Sequence, residues 1–446
     1  MTSPEQDKAA SAVTGKNGVA IGKVAVHGDG FRTYEVYQRE RVGESTAKIK
    51  PRQLVSDEFR RDPYPQLTIL RENYPCYRDW VSNRYWLTRY DDVTSVFVDD
   101  ANFLTRSHAQ KMGLDDDLGP LLQSVPVQSA ITQALDDAVT PTALGLAEEM
   151  VSNYSEGAGV NLMTHFVGRL VVRLTQVAFG VPLHLEDQFG ELLWRIRRGA
   201  SWHPQLQLSA QTALQSMADL LAPLLDERRH SPHEDALSAM LQTQADLSPM
   251  HAATALAEWE IETLTGGLAN MWALLLSHPT EFDKARHDAR LMKLAWLETL
   301  RHSPPVLAAE RFSRHEVERF GRLIPEGALM FCSAAAANRD PRLFADPEDF
   351  VIERADLCQR EPRGQYRADG LASGIAFGLG RPSRHPAVPE DRPRSRYALM
   401  RDTAVSASQA LLATCPEIRL TTTHMPDFDA LTLGEMRTCW QLPVQI

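Results

Sequence analysis

Cysteine is scarce in this chain and never paired. Cys76, Cys332, Cys358, Cys415 and Cys439 stand singly along 446 residues. That spacing excludes a disulfide framework and a CxxC redox or zinc site. Long apolar runs are missing too, so no segment reads as a membrane-spanning helix. Positive charge is in deficit: the formal net charge is -11. An acidic balance argues against nucleic acid or an anionic membrane as the main partner. The opening MTSPEQDKAASAVTGKNG lacks the apolar core of a signal peptide. No GxSxG, Walker, HExxH or internal repeat occurs. These absences predict a soluble protein of the reducing cytoplasm, without a metal centre.

What is present is material for a large core. Hydrophobic residues make up 43% of the chain, and no Gly/Ser-rich or Pro-rich linker divides its interior, which predicts one large domain. Residues 1–50 are polar and weakly periodic and read as a mobile tail; residues 51–446 form the domain. DPYPQLTILRENYP reads as an extended entry, a helix and a proline stop. YWLTRYDD alternates like a strand and leads into the helical DDVTSVFVDD. From Pro141 to about His302 helix follows helix, including a long one from Met250 to Ser277. ALMRDTAVSASQALLA is a late helix, and EIRL and QLPVQI are strand candidates. The fold class expected is mainly α with small β-sheets. The cluster His230-Ser231-Pro232-His233-Glu234-Asp235 reads as a solvated loop between helices, with Asp235 starting the next one, rather than as a metal site.

Three further segments come in a telling order. Glu298-Thr299-Leu300-Arg301 is an ExxR on a helix; AAAANRDPRLFADPEDFVIER comes next, ending at Arg354; GIAFGLG spans Gly374 to Gly380. Together with DPYP and WLTRYDDV they resemble the cytochrome P-450 family over roughly residues 60–446. The resemblance implies that family's single-domain fold. It also implies a structural ion triad of Glu298, Arg301 and Arg354, since residues one helical turn apart face the same way. Such a triad reports fold, not chemistry.

The residues that would carry the family's chemistry are altered. The family holds its iron with a cysteine in FGxGxHxCxG. Counting forward from Phe377 puts the ligand position on Arg384; counting back from Tyr397-Ala398-Leu399-Met400-Arg401 puts it on Arg394. The intervening loop, RPSRHPAVPEDRPRSR, is lengthened and holds no cysteine on either count. Arginine stays cationic and does not ligate iron. His385 is an alternative ligand in principle, or a solvated loop histidine. The resemblance places the family's propionate-binding His and Arg on Gln128 and Thr132, leaving Arg311 as a vestigial propionate contact. It places the acid–alcohol pair that relays protons to oxygen on Glu262 and Thr263, as a relic. Trp259 and Glu260 fall where the family keeps small residues above the iron, and would fill that oxygen-side space. Asp136 and Asp137 lie on a face the family usually keeps basic, while Arg381, Arg384, Arg392, Arg394 and Arg396 crowd the altered loop.

The residues support two functional expectations. The first is a pseudoenzyme with no cofactor, resembling the auxiliary, or activator, proteins of antibiotic glycosyltransferases: a helper whose partner is a biosynthetic enzyme of that kind. The second is a haem-binding monooxygenase or peroxidase with a non-cysteine ligand, acting on a small apolar substrate. A third reading makes the Arg/Pro-rich loop a local frameshift, which resequencing decides.

Overall fold

The computed structural model describes residues 49–356 and 396–446, apart from 80, 98, 115–117, 155–158, 201–203, 422–425 and 432–435. It also describes the backbone of four short strands between 13 and 33. Phe377 and the altered loop before Arg396, with Arg384, His385 and Arg394, lie outside the described residues.

Ten helices build the site and its surroundings. They are α1 (Tyr64–Asn73), α2 (Tyr90–Phe97), α3 (Val125–Asn153), α4 (Gly168–Phe179), α5 (Glu186–Arg197), α6 (Pro204–His230), α7 (Pro249–Ala257), α8 (Glu262–Ser277), α9 (Ala289–His302) and α10 (Arg396–Thr414). Their starts follow ordinary capping chemistry. Ser248 caps α7 through the His251 amide, with Pro249 at the first position, and Asp288 caps α9 through the Arg290 amide. Gly180 ends α4 at φ +70°, and a Cβ there would land 2.0 Å from the Asp235 carboxylate, so only glycine fits.

A mixed sheet flanks the helices. Its strands are β1 (Cys76–Asp79), β2 (Arg84–Leu87), β3 (Phe103–Leu104), β4 (Ala308–Ser313) and β5 (Leu329–Ser333), in the order β1-β2-β5-β4-β3. Only β2 and β5 run parallel, with Phe331 opposite Trp86. A C-terminal hairpin joins β6 (Asp427–Leu431) to β7 (Met436–Gln441). The largest core lies among α3–α10; two smaller cores line the faces of the sheet. Gly267 lets α8 meet α9 closely, since a Cβ there would sit 2.5 Å from the Trp296 ring. The fold is thus mainly α with small sheets, in one domain. No helix among the described residues is long and apolar enough to cross a membrane.

Two expectations need correction. Pro141, where the run of helices was expected to begin, lies instead inside α3, which starts at Val125 and continues through it. Proline forfeits one backbone hydrogen bond, and the apolar stripe of Ile131, Leu135, Val139, Ala143, Leu146 and Met150, all buried, outweighs that loss. The helix expected from Met250 to Ser277 is broken between Ala257 and Glu262. Within residues 1–50, the backbone of Lys23–Val26 pairs antiparallel with Gly30–Thr33, and Val13–Thr14 with Ala20–Ile21. Alternation as short as KVAV is enough to form a strand pair.

Candidate functional site

Glu298 and Arg301 are fully buried on α9 and meet in a bidentate pair, 2.7 Å at each oxygen. Arg301 also donates to the carbonyls of Asn338, Pro347 and Asp349, while Glu298 accepts from the Val351 amide. Arg354 reaches Glu298 at 3.4 Å and Asp356 at 2.7 Å. Burial alone would lower the Arg354 pKa, but Asp356 and Glu298 overcome it and hold the group above its ordinary value. Every strong donor and acceptor in this knot is used, which is the condition for a buried ion pair to be tolerated. The knot fixes the irregular chain 338–356 onto α9.

The α7–α8 break has a definite cause. In an unbroken helix the Ile261 N–H would donate to the Ala257 carbonyl. Here the Arg197 guanidinium takes the Ala257 carbonyl, and the Ile261 amide donates to Glu262 Oε2 at 3.0 Å. Glu258 is drawn sideways as well, accepting from the His108 and Ala109 amides at 2.9 and 2.8 Å. A side chain from distant chain, Arg197, thus captures one end of the missing hydrogen bond, and the adjacent Glu262 captures the other.

Glu262 does not pair with Thr263. It forms a salt bridge with Arg197 at 2.8 Å, and the Thr263 hydroxyl donates to Glu260. Burial opposes charge on Arg197, yet Glu262, Glu260 and Glu258 together raise its pKa. Trp259 is buried, and from the other side Arg396 at the start of α10 comes to it: the guanidinium carbon lies 5.2 Å from the ring centre and 4.0 Å separates Arg396 from Glu260. Burial pulls the Arg396 pKa below its ordinary value, with Glu260 opposing.

Arg311 lies buried on β4, stacked 4.7 Å over the Phe97 ring and donating to the Glu310 carbonyl at 2.8 Å. The neighbouring Glu310 pairs with Lys111 at 2.8 Å. Its burial would raise the pKa, but Lys111, Arg84 and Arg106 hold it below the ordinary value. Gln128 spends its amide on the Leu122 carbonyl. The Thr132 hydroxyl is buried with no hydrogen-bond partner among the described residues. Asp136 and Asp137 are exposed, Asp137 accepting from Gln133. In the His230–Asp235 loop, Asp235 pairs with Arg228 at 2.9 Å and caps the Ser238 amide. Among the described residues no group of three or more His, Cys, Asp and Glu side chains could hold a metal ion.

These residues can be tested against the porphyrin that the resemblance implies. A flat ring between α10 and the α7–α8 break would need about 7 Å between the groups on its two faces, twice a carbon contact distance. Arg396 and Trp259 stand closer than that. Of the three positions that would face propionates, only Arg311 brings a cation, a poor match for a dianion. The described residues do not fit the group.

Arg197, Glu258 and the reach of Arg396 were not legible in the sequence. Arg197 is 65 residues from its partner Glu262, and no local pattern announces such a contact. Arg396 was visible only as one of several arginines in an altered loop.

Comparison with known proteins agrees with the fold. The family described as Cytochrome P450 matches residues 261–361. That match ends 16 residues (377 − 361) before Phe377. Pulcherriminic acid synthase of Bacillus subtilis is 27% identical over 74% of this chain and 85% of its own length. The 6-deoxyerythronolide B hydroxylase of Saccharopolyspora erythraea is 24% identical over 74% of this chain and 86% of its own. Among solved structures, CYP109E1 from Bacillus megaterium in complex with testosterone superposes with a TM-score of 0.66. It is 20% identical, and the match covers 86% of this chain and 99% of that one.

Proposed function

We propose that this chain, which is similar to the cytochrome P450 family over residues 261–361 and to its relatives at 27% identity or less, serves as a non-catalytic member of that family: a scaffold that binds and steadies another enzyme of a biosynthetic pathway. By the likeness of its retained segments the partner is a glycosyltransferase. The observation that carries this reading is the missing sulfur. Between Cys358 and Cys415 the chain has no cysteine, and both counts of the signature put arginine at the ligand position, Arg384 or Arg394. A thiolate pushes electron density onto haem iron and promotes O–O cleavage; a guanidinium does neither. The eroded propionate contacts at Gln128 and Thr132 support the same reading, as does the contact between Arg396 and Trp259.

The test is the visible spectrum of the full chain, purified from cells supplied with haem precursor, and then co-expression with the glycosyltransferase of the same gene neighbourhood. The expected result is a colourless protein that co-purifies with the transferase and raises its activity. A stoichiometric Soret band, or a transferase indifferent to the chain, overturns it.

A second reading is favoured by the relatives, named as a synthase and a hydroxylase, and by the haem that the family implies. It makes the chain an oxygenase or peroxidase with His385 as ligand. A Soret band lost in His385→Ala establishes that reading.

A further inference from the structure

The break between α7 and α8 carries three carboxylates within five residues, Glu258, Glu260 and Glu262. Two of them have local partners: Glu258 holds the His108 and Ala109 amides, and Glu262 holds Arg197 and the Ile261 amide. Among the described residues, the Thr263 hydroxyl is the group that donates to Glu260 on its own side. The cation that approaches it among the described residues is Arg396, at 4.0 Å, from the opposite helix.

The position of Arg396 is informative. Counting back from Tyr397-Ala398-Leu399-Met400-Arg401 puts the final glycine of FGxGxHxCxG on Arg396. A residue without a side chain there would leave α10 facing empty space across from Trp259. Arginine instead sends a long, planar cation across the gap, over the indole face and toward the carboxylate behind it. A guanidinium over an indole is the favoured cation–π arrangement, and its apolar stem covers the surface that it crosses.

We infer that Arg396 is a brace: lodged against Trp259 and Glu260, it ties the first turn of α10 to the α7–α8 break and lets the scaffold hold its shape with no ring between the two elements. This rests on the cofactor-free reading proposed for the chain. The Arg396 and Glu260 side chains keep 24% and 25% of their surface exposed, so solvent screens the pair and the effect is moderate rather than decisive for folding.

The test uses the full chain without added haem. Arg396→Gly, which restores the signature glycine, lowers the melting temperature by about 1–2 °C. Glu260→Gln lowers it less, and the double variant melts no lower than Arg396→Gly alone, because both changes remove one contact. Additive losses, or an Arg396→Gly variant that melts like the wild type, overturn the brace and leave the cofactor-free reading standing. Should Arg396→Gly not fold, Arg396→Met reads the same cycle with the stem retained. Hemin titrated into the wild type separates the two ideas. No saturable Soret change is expected, and stoichiometric uptake overturns the cofactor-free reading and the brace together.

Discussion

Arginine meets glutamate at two places that govern this molecule, and the two meetings differ in kind. On α9, Glu298 and Arg301 sit three residues apart, fully buried, with carbonyls and an amide using the remaining hydrogen-bond capacity. At the α7–α8 break, Glu260 and Arg396 come from different elements, stay a quarter exposed and stand 4.0 Å apart. The first is a closed knot that any copy of the scaffold needs. The second is a loose contact where the family's chemistry would sit. The physical content of that contrast is testable region by region.

The largest effect belongs to the knot. Glu298→Ala leaves Arg301 buried with no counter-ion, and Arg301→Ala leaves Glu298 only the longer contact with Arg354 at 3.4 Å, each at a cost of about 3–5 kcal/mol. That is enough to make a chain of ordinary stability insoluble or unfolded. Expression and thermal melts check this; either variant melting like the wild type would show that the knot does not hold the fold.

The knot was also the most legible part of the sequence. Its ExxR spacing sets two side chains on one helix face, and the meander that returns Arg354 is written in the residues after it. The break was not legible. Residues 258–261 contain neither glycine nor proline, so nothing local stops a helix there. It breaks because Arg197, 60 residues back, captures the Ala257 carbonyl. Pro141 taught the opposite lesson: a local breaker signal overridden by the buried stripe of α3. The ligand loop could be read only as chemistry, from what its residues are unable to do.

Each region also holds one buried histidine, which sharpens the comparison at acid pH. His302 neighbours the knot, and His108 lies beside the break with its Nε2 2.9 Å from the Ile196 carbonyl. Burial comes first in holding both well below the ordinary value of 6.5, with Arg339 and Arg301 adding to it at His302 and Arg197 at His108. The folded state therefore keeps both rings neutral where the unfolded chain takes up protons. Stability contributed by each is full above about pH 6.5 and falls as pH drops below it, by up to about 1.4 kcal/mol per pH unit for each ring. Denaturant melts between pH 7 and pH 5 measure the slope. Asp92, whose carboxyl burial pushes up to about 7, works against the slope in the same window; His108→Gln and His302→Gln each lower the slope by up to about 1.4 kcal/mol per pH unit, whatever they do to stability at pH 7. A slope unchanged in His108→Gln would mean that the break opens to water before the chain unfolds.

The smallest effect separates a relic from a working relay. In this structure the Thr263 hydroxyl is buried and spent on Glu260, one turn away, rather than offered toward a bound oxygen. Thr263→Val keeps the shape and removes only the O–H. Losing a single hydrogen bond to a carboxylate that is partly open to solvent costs about 0.5–1.5 kcal/mol. The change should also couple to Arg396, because both groups serve the same carboxylate. A Thr263→Val variant that loses about a degree, and loses nothing further in a Glu260→Gln background, fits a purely structural hydroxyl. A variant that melts like the wild type yet changes the protein's response to added hemin would return Thr263 to the chemistry from which this arrangement removes it.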